Sequence, residues 1–284
     1  MNKERLILFL LAAAKFTHIM DFMVVMPLGP QLMRIFGISP QQFGLVVSAY
    51  TISAGLFGFI GAFFVDRFDR KKALIFCYTG FVIGTIACAL SPTYEVLLLT
   101  RSLTGAFGGV LGALVLAMVG DIFAEERRAS AMSIVMAAFS AASVIGVPFG
   151  LFLAAQFSWH APFYFLGGLG IVIWLLMQFY LPEMKGHMEG GAAQKKPGQV
   201  IRVAFGQANA RFALILISVM MLGQFTVIPF IADYMVGNMG FEELDLSYIY
   251  LIGGALTLVT APLIGRFADR FGKFRVFSLS LIHI

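Results

Sequence analysis

Charge is scarce in this chain: Asp, Glu, Lys and Arg make up 12% of its 284 residues, about half the share usual in soluble domains. Hydrophobic residues make up 60%. A soluble fold of this length cannot hide that much apolar surface, but lipid accepts it. Cysteine is almost absent. Cys77 and Cys88 are the only two, and both lie in one apolar segment, which excludes a disulfide framework and a thiolate metal site. No HExxH, GxSxG or Walker pattern occurs, which argues against an intramembrane enzyme and an ATP-driven pump, and no cofactor is implied. The net charge of +5 does not argue for nucleic acid, because where charges lie matters more than their sum.

What is present in quantity is long apolar runs. A bilayer core needs roughly 20 helical residues. Eight stretches reach that length, near 6–28, 43–65, 72–90, 96–118, 131–155, 162–181, 212–236 and 246–265, and a ninth starts near Phe274. Continuous apolar runs of this length predict helices, because each must satisfy its own backbone hydrogen bonds in lipid. The first is too long for a signal-peptide core, is interrupted by Lys15, His18 and Asp21, and lacks a small-residue cleavage site. It reads as a retained helix.

The basic residues set the orientation. One side receives Lys3 and Arg5, then Arg67, Arg70, Lys71 and Lys72, then Arg127 and Arg128. It also receives the cations of 182–211 and then Arg266, Arg270, Lys273 and Arg275. The other side receives Arg34 alone, with Glu95, Glu242, Glu243 and Asp245. This asymmetry makes the first side cytoplasmic, and with it the N-terminus.

Segment 182–211, rich in glycine and charge, reads as a cytoplasmic linker with a short amphipathic helix near its end. It divides a six-helix bundle, 1–181, from an incomplete bundle, 212–284. An internal repeat supports two halves: VDRFDRKKAL around Asp66 and ADRFGKFRVF around Asp269 each fall two helices into their half. Leu279 to Ile284 reads as the translation of a transposon-end adapter used in library preparation, so those six residues are expected not to be native.

The loop GAFFVDRFDRKK (61–72) resembles the signature between helices two and three of the major facilitator superfamily. Asp66, Arg67, Arg70 and Lys71 match its Asp-Arg and Arg-Lys positions. Ala62 and Asp69 stand where the family has glycines. The later copy, with Gly265, Asp269, Arg270 and Gly272, fits better. RSLTGAFGG (101–109) resembles the helix-four motif linked to proton coupling, an Arg followed by glycines such as Gly105 and Gly108. ASVIGVPFG (142–150) is similar to the helix-five motif of the drug/proton antiporter branch, a branch that includes arabinose-efflux-like members. It keeps Gly146, Pro148 and Gly150. Ala142 and Leu151 replace glycines, and Val147 separates Gly146 from Pro148.

The resemblance implies an all-α polytopic fold, with a six-helix N-terminal bundle and a partial C-terminal one. It implies a secondary transporter, a monomer when complete, in the bacterial cytoplasmic membrane. Its partners would be a small-molecule substrate, protons and the lipid bilayer, and no nucleic acid. It also implies a cytoplasmic gate in which Asp66, Arg70 and Asp121 form a charge cluster, with Arg67, Lys71, Asp269 and Arg270 around it. Plain positive-inside topology competes with that reading for the arginines alone.

Ionisable residues at membrane depth are costly and mark function by default. Arg101 lies roughly 8 Å inside the outer surface and Asp21 roughly 10 Å. They come from opposite directions to similar depths, and sequence alone leaves open whether they face each other. Lys15, His18 and Asp21 recur every third residue and so wind along one side of helix one. Asp21 is the first choice for proton carrier, with Arg101 and His18 beside it. A structural ion pair is the competing reading. Lys15 and Gln224 are candidates for the substrate cavity. Proton-coupled efflux of a small molecule or drug leads. The alternatives are a facilitator or importer of a sugar, nucleoside or organic acid, and a non-transporting membrane receptor.

Overall fold

The computed structural model describes residues 3–184, 205–272 and 275–278. Most of the expected linker, Lys273, Phe274 and residues 279–284 lie outside the described residues. The first apolar run forms α1 (Lys3–Val24) and stops four residues short of the expected Leu28. The chain turns there, where Pro27 and Pro30 cannot donate to a continuing helix. It then forms a short helix absent from the sequence reading, α2 (Gly29–Phe36). Its signals were a proline in the first turn and Gly37, whose φ of 62° supplies the left-handed cap.

Next come α3 (Pro40–Phe64), a tight turn over Val65–Arg67, α4 (Arg70–Ala89) and α5 (Tyr94–Ile122). Ser39 starts α3 with a capping box: its hydroxyl accepts from Gln42 N, and the Gln42 side chain accepts from Ser39 N. The fifth span is α6 (Glu125–Ala141), a wide turn over Ala142–Gly146 and α7 (Val147–Gln156). The sixth is α8 (Ala161–Tyr180). Beyond residue 204 lie α9 (Ala208–Val227), a tight turn over Ile228–Phe230, α10 (Ile231–Met239) and α11 (Glu243–Phe271). α9 begins at Ala208, so Arg211, expected to close the linker, sits in its first turn.

Seven helical stretches among the described residues are long and apolar enough to cross a membrane. Their outward faces carry large apolar side chains: Phe76, Leu99 and Phe179 are each about 70% exposed or more. In water such a surface would associate, whereas in lipid it is solvated.

The interior is layered. Toward the basic end, Leu10 and Leu11 of α1, Leu74 and Tyr78 of α4, Leu114 and Met118 of α5 and Met177 of α8 form one apolar cluster. Toward the other end, Val24, Phe43, Val46, Cys88, Leu97, Val147 and Phe163 form a second. Between them, α1 contributes Thr17 and Asp21, α4 contributes Thr85, and α5 contributes Thr100, Arg101 and Thr104, all buried. This polar layer between the two apolar clusters is where the candidate site lies.

Ala232 of α10 and Leu246 of α11 are buried in the second apolar cluster. Between Ala208 and Val227, by contrast, α9 has no buried residue. The segments after the linker therefore meet the first six spans at the end away from the basic loops.

Candidate functional site

α1 rises from the basic end and α5 descends from the other. Asp21, three residues before the end of α1, thus meets Arg101, in the second turn of α5. The Arg101 guanidinium donates to Asp21 Oδ2 at 2.7 Å, and the Thr85 hydroxyl donates to Oδ1 at 3.0 Å. Asp21 is 0% exposed and Arg101 1%. The guanidinium also lies 4.4 Å from the centre of the Tyr50 ring, a cation–π contact that offsets part of its desolvation. Tyr50 and Thr85 were missed in the sequence. Each is an ordinary residue of an apolar span, and only contacts across helices reveal it.

His18 joins the layer one turn toward the basic end. Its ring centroid is 6.4 Å from that of Tyr50 and 5.9 Å from that of Phe81. Among the described residues, His18 Nδ1, the Tyr50 hydroxyl and Arg101 Nε are buried without a hydrogen-bond partner. Most buried polar atoms have one, so this layer keeps unused hydrogen-bonding capacity.

The glycines of α5 make this layer. A Cβ on Gly105 would strike the carbonyl oxygen of Tyr50 on α3. One on Gly108 would come within 2.6 Å of the Tyr50 hydroxyl and 3.0 Å of His18 Nε2. Lys15 is half-buried, and its Nζ stands 3.2 Å from where a Cβ of Gly112 would be. Lys15 and His18 therefore lean over the same glycine-lined face of α5. Phe22 closes the layer on the side away from the basic loops, 5.4 Å from the Tyr50 ring and 5.8 Å from Phe225 of α9. Gln224, the neighbour of Phe225, is exposed, and its side chain hydrogen-bonds to none of the described residues.

The helix-five residues pack against α1. A Cβ on Gly146 would lie 3.0 Å from Met20 Sδ, and one on Gly150 would lie 2.6 Å from Val24 Cγ2. Pro148 cannot donate to the carbonyl four residues back. The helix opens just before it into a wide turn, and Val147 N bonds to Ala142 O, five residues away. Val144 of this turn receives α11, where a Cβ on Gly254 would come within 2.8 Å of it.

At the basic end, Arg70 joins two carboxylates. Its Nε donates to Asp121 Oδ2 at 3.0 Å and its Nη1 to Asp66 Oδ1 at 2.6 Å. Other residues expected around this cluster stand apart from it. Arg67 lies over the Phe64 ring, 5.2 Å from its centre. Lys71 donates at 2.9 Å to the Gln178 carbonyl, in the last turn of α8, where a cation suits the helix end. Arg270 lies over the Phe271 ring, 5.5 Å from its centre, and the Asp269 side chain lies outside the described residues. Asp69, which departs from the family's glycine, has its own task. It caps α4 by accepting from Lys72 N at 3.0 Å, and its other oxygen accepts from Met184 N at 2.8 Å. At the opposite end, Glu243 of α11 accepts from Arg34 at 2.6 Å and from Gln31 at 3.0 Å.

Comparison with known proteins bears on this arrangement. The family model described as Major Facilitator Superfamily matches residues 11–284. The chain belongs to the major facilitator superfamily. Among curated relatives, the uncharacterized MFS-type transporter YceJ of Bacillus subtilis (strain 168) is 24% identical over 90% of this chain and 65% of its own length. Multidrug resistance protein 2 of the same organism is 26% identical over 99% of this chain and 71% of its own. The solved structure of a bacterial homologue of the human lysosomal transporter Spinster, in an inward-facing and unoccupied conformation, superposes with a TM-score of 0.75. It is 18% identical, over 96% of this chain and 64% of its own length. The chain thus spans about two thirds of the length of these proteins. It is a multi-pass, all-helical membrane protein of a transporter family, not an enzyme.

Proposed function

We propose that this protein works as a secondary transporter that exports a small molecule in exchange for protons, with Asp21 as the proton carrier. One observation carries the reading: a fully buried carboxylate sits inside the bundle, held by one guanidinium and one hydroxyl. No water replaces either partner there, so the pair holds together unless a proton or a ligand takes one partner's place. A movement that separates the two side chains lets a proton replace the guanidinium, and their return expels it. His18 lies beside this pair and offers a relay. Lys15 and Gln224 belong to the substrate cavity in this reading, Lys15 at its wall and Gln224 on the segment that completes it.

The basic end faces the cytoplasm by the positive-inside rule, which puts the N-terminus there too, in the bacterial inner membrane. Residues 1–181 and 212–284 act as two bundles joined by 182–211, rocking about the central layer. Asp66, Arg70 and Asp121 supply the first bundle's share of the inner gate. The contact of Glu243 with Arg34 and Gln31 serves in this reading as a tie on the outer side. The name of the 26%-identical multidrug resistance relative supports export. The test uses inverted vesicles carrying the full-length protein. Substrate-driven proton release is expected in the wild type and lost in Asp21→Asn, and retained release removes Asp21 from the role.

A further inference from the structure

We infer that the cargo of this cavity is an organic anion whose negative charge is met by Lys15. This deepens the transport reading above and rests on it. Among the described residues, charge in the polar layer does not balance. Two cations, Lys15 and Arg101, accompany one carboxylate, Asp21, and both oxygens of that carboxylate are taken. The ion pairs among the described residues include none for Lys15. Asp21 stands six residues further along α1, about 9 Å along the axis. The basic end of α1 lies twelve residues the other way, about 18 Å, further than a lysine side chain reaches to leave the membrane. Lys15 therefore stays at membrane depth beside Gly112 of α5, half-buried and open to a partner.

One uncompensated cation between low-dielectric walls focuses a positive potential into the space it faces. An anion entering there gains it, whereas a cation meets the unpaired charge of Lys15 and, among the described residues of the layer, no free carboxylate. The neighbouring atoms suit an oxyanion. The Tyr50 hydroxyl is an unused donor, and His18 Nδ1 is a second where its tautomer carries the proton there; both are buried without partners. Lys15 Nζ and His18 Cε1 lie 3.2 and 3.8 Å from one point above Gly112, so the cation and the imidazole edge are adjacent. Tyr50, 6.4 Å from the His18 ring, leads on to Phe22 and Phe225, an aromatic wall about 10 Å along α1 from Lys15, which accepts a flat apolar body. The cargo class is thus an amphiphilic anion: a carboxylate on an aromatic or similar apolar frame.

The test is equilibrium binding to the full-length protein in detergent at neutral pH, with two probes of one shape. These are naphthoate and naphthyl-trimethylammonium, followed by calorimetry. The wild type is expected to bind naphthoate at least about tenfold more tightly than the ammonium. Lys15→Gln should weaken naphthoate binding about tenfold, and Lys15→Arg should restore it. Preference for the ammonium, binding of neither probe, or naphthoate binding indifferent to Lys15→Gln overturns the inference. Proton release in Asp21→Asn is scored separately. If the wild type prefers the ammonium while Asp21→Asn loses proton exchange, the anion reading falls and the coupling stands. If naphthoate binding depends on Lys15 while Asp21→Asn still exchanges protons, the reverse holds.

Discussion

Two arginine–carboxylate clusters in this molecule use the same chemistry in different surroundings. At the basic end, Arg70 is 8% exposed, but its partners Asp66 and Asp121 are 57% and 35% exposed. Inside the bundle, Arg101 and Asp21 are 1% and 0% exposed. Water screens the first cluster, so each contact there contributes little to stability and can open and close at small cost. The second has no water to replace a lost partner, so separating it is expensive unless a proton or a ligand intervenes. An exposed cluster suits a latch, and a buried pair suits a coupling element.

The comparison can be broken most directly at Arg101. Arg101→Met strands Asp21 in a dry layer and should destabilise the full-length protein by about 3–5 kcal/mol. Adding Asp21→Leu removes the stranded charge and should recover much of the loss. A thermal-unfolding double-mutant cycle reads both steps, and additive losses would mean that the two side chains do not depend on each other.

Next in size is the close approach of α5 to α3. Gly105→Ala drives a methyl into the Tyr50 carbonyl, backbone against backbone, and overpacking of this kind costs about 1–3 kcal/mol. Gly120→Ala is its control. Nothing lies within 4 Å of that Cβ, so the change should stabilise the helix by about 0.5–1 kcal/mol. Melting temperatures of the two variants should move in opposite directions. Thr85→Val removes the hydroxyl that donates to Asp21 Oδ1 and should cost about 1.5–3 kcal/mol in chemical denaturation.

The smallest effect belongs to the exposed cluster. Asp66→Asn should change stability by no more than about 1 kcal/mol. If it cost as much as Arg101→Met, the contrast between latch and coupling element would collapse.

The chain's character as a membrane protein and its spans were legible because hydropathy over about twenty residues is a strong signal that no local contact overrides. Asp21 and Arg101 were legible as individuals because charge at membrane depth is rare and costly. Arg70, Asp66 and Asp121 were grouped through the family resemblance, helped by the four-residue spacing of Asp66 and Arg70 and a shared side of the membrane. Their neighbours Arg67 and Lys71 were grouped with them because they match the same motif. Direction decides otherwise: Arg67 turns back onto Phe64 and Lys71 reaches across to α8. Tyr50 and Thr85 carried no signal, since their importance arises only where α3, α4 and α5 converge. The wide turn before Pro148 was half legible. Proline announced a break, but its form depends on which carbonyl the next free N–H finds. α2 escaped because eight residues are too short for periodicity to stand out from a loop.

Infrared difference spectroscopy between acidic and alkaline pH tests the central claim without needing to know the cargo. Applied to the full-length protein, it detects the carbonyl stretch of each carboxyl group that gains a proton. The wild type should show a band from a carboxyl in a dry environment that vanishes in Asp21→Asn and persists in Asp66→Asn. A band unchanged in Asp21→Asn would contradict the account.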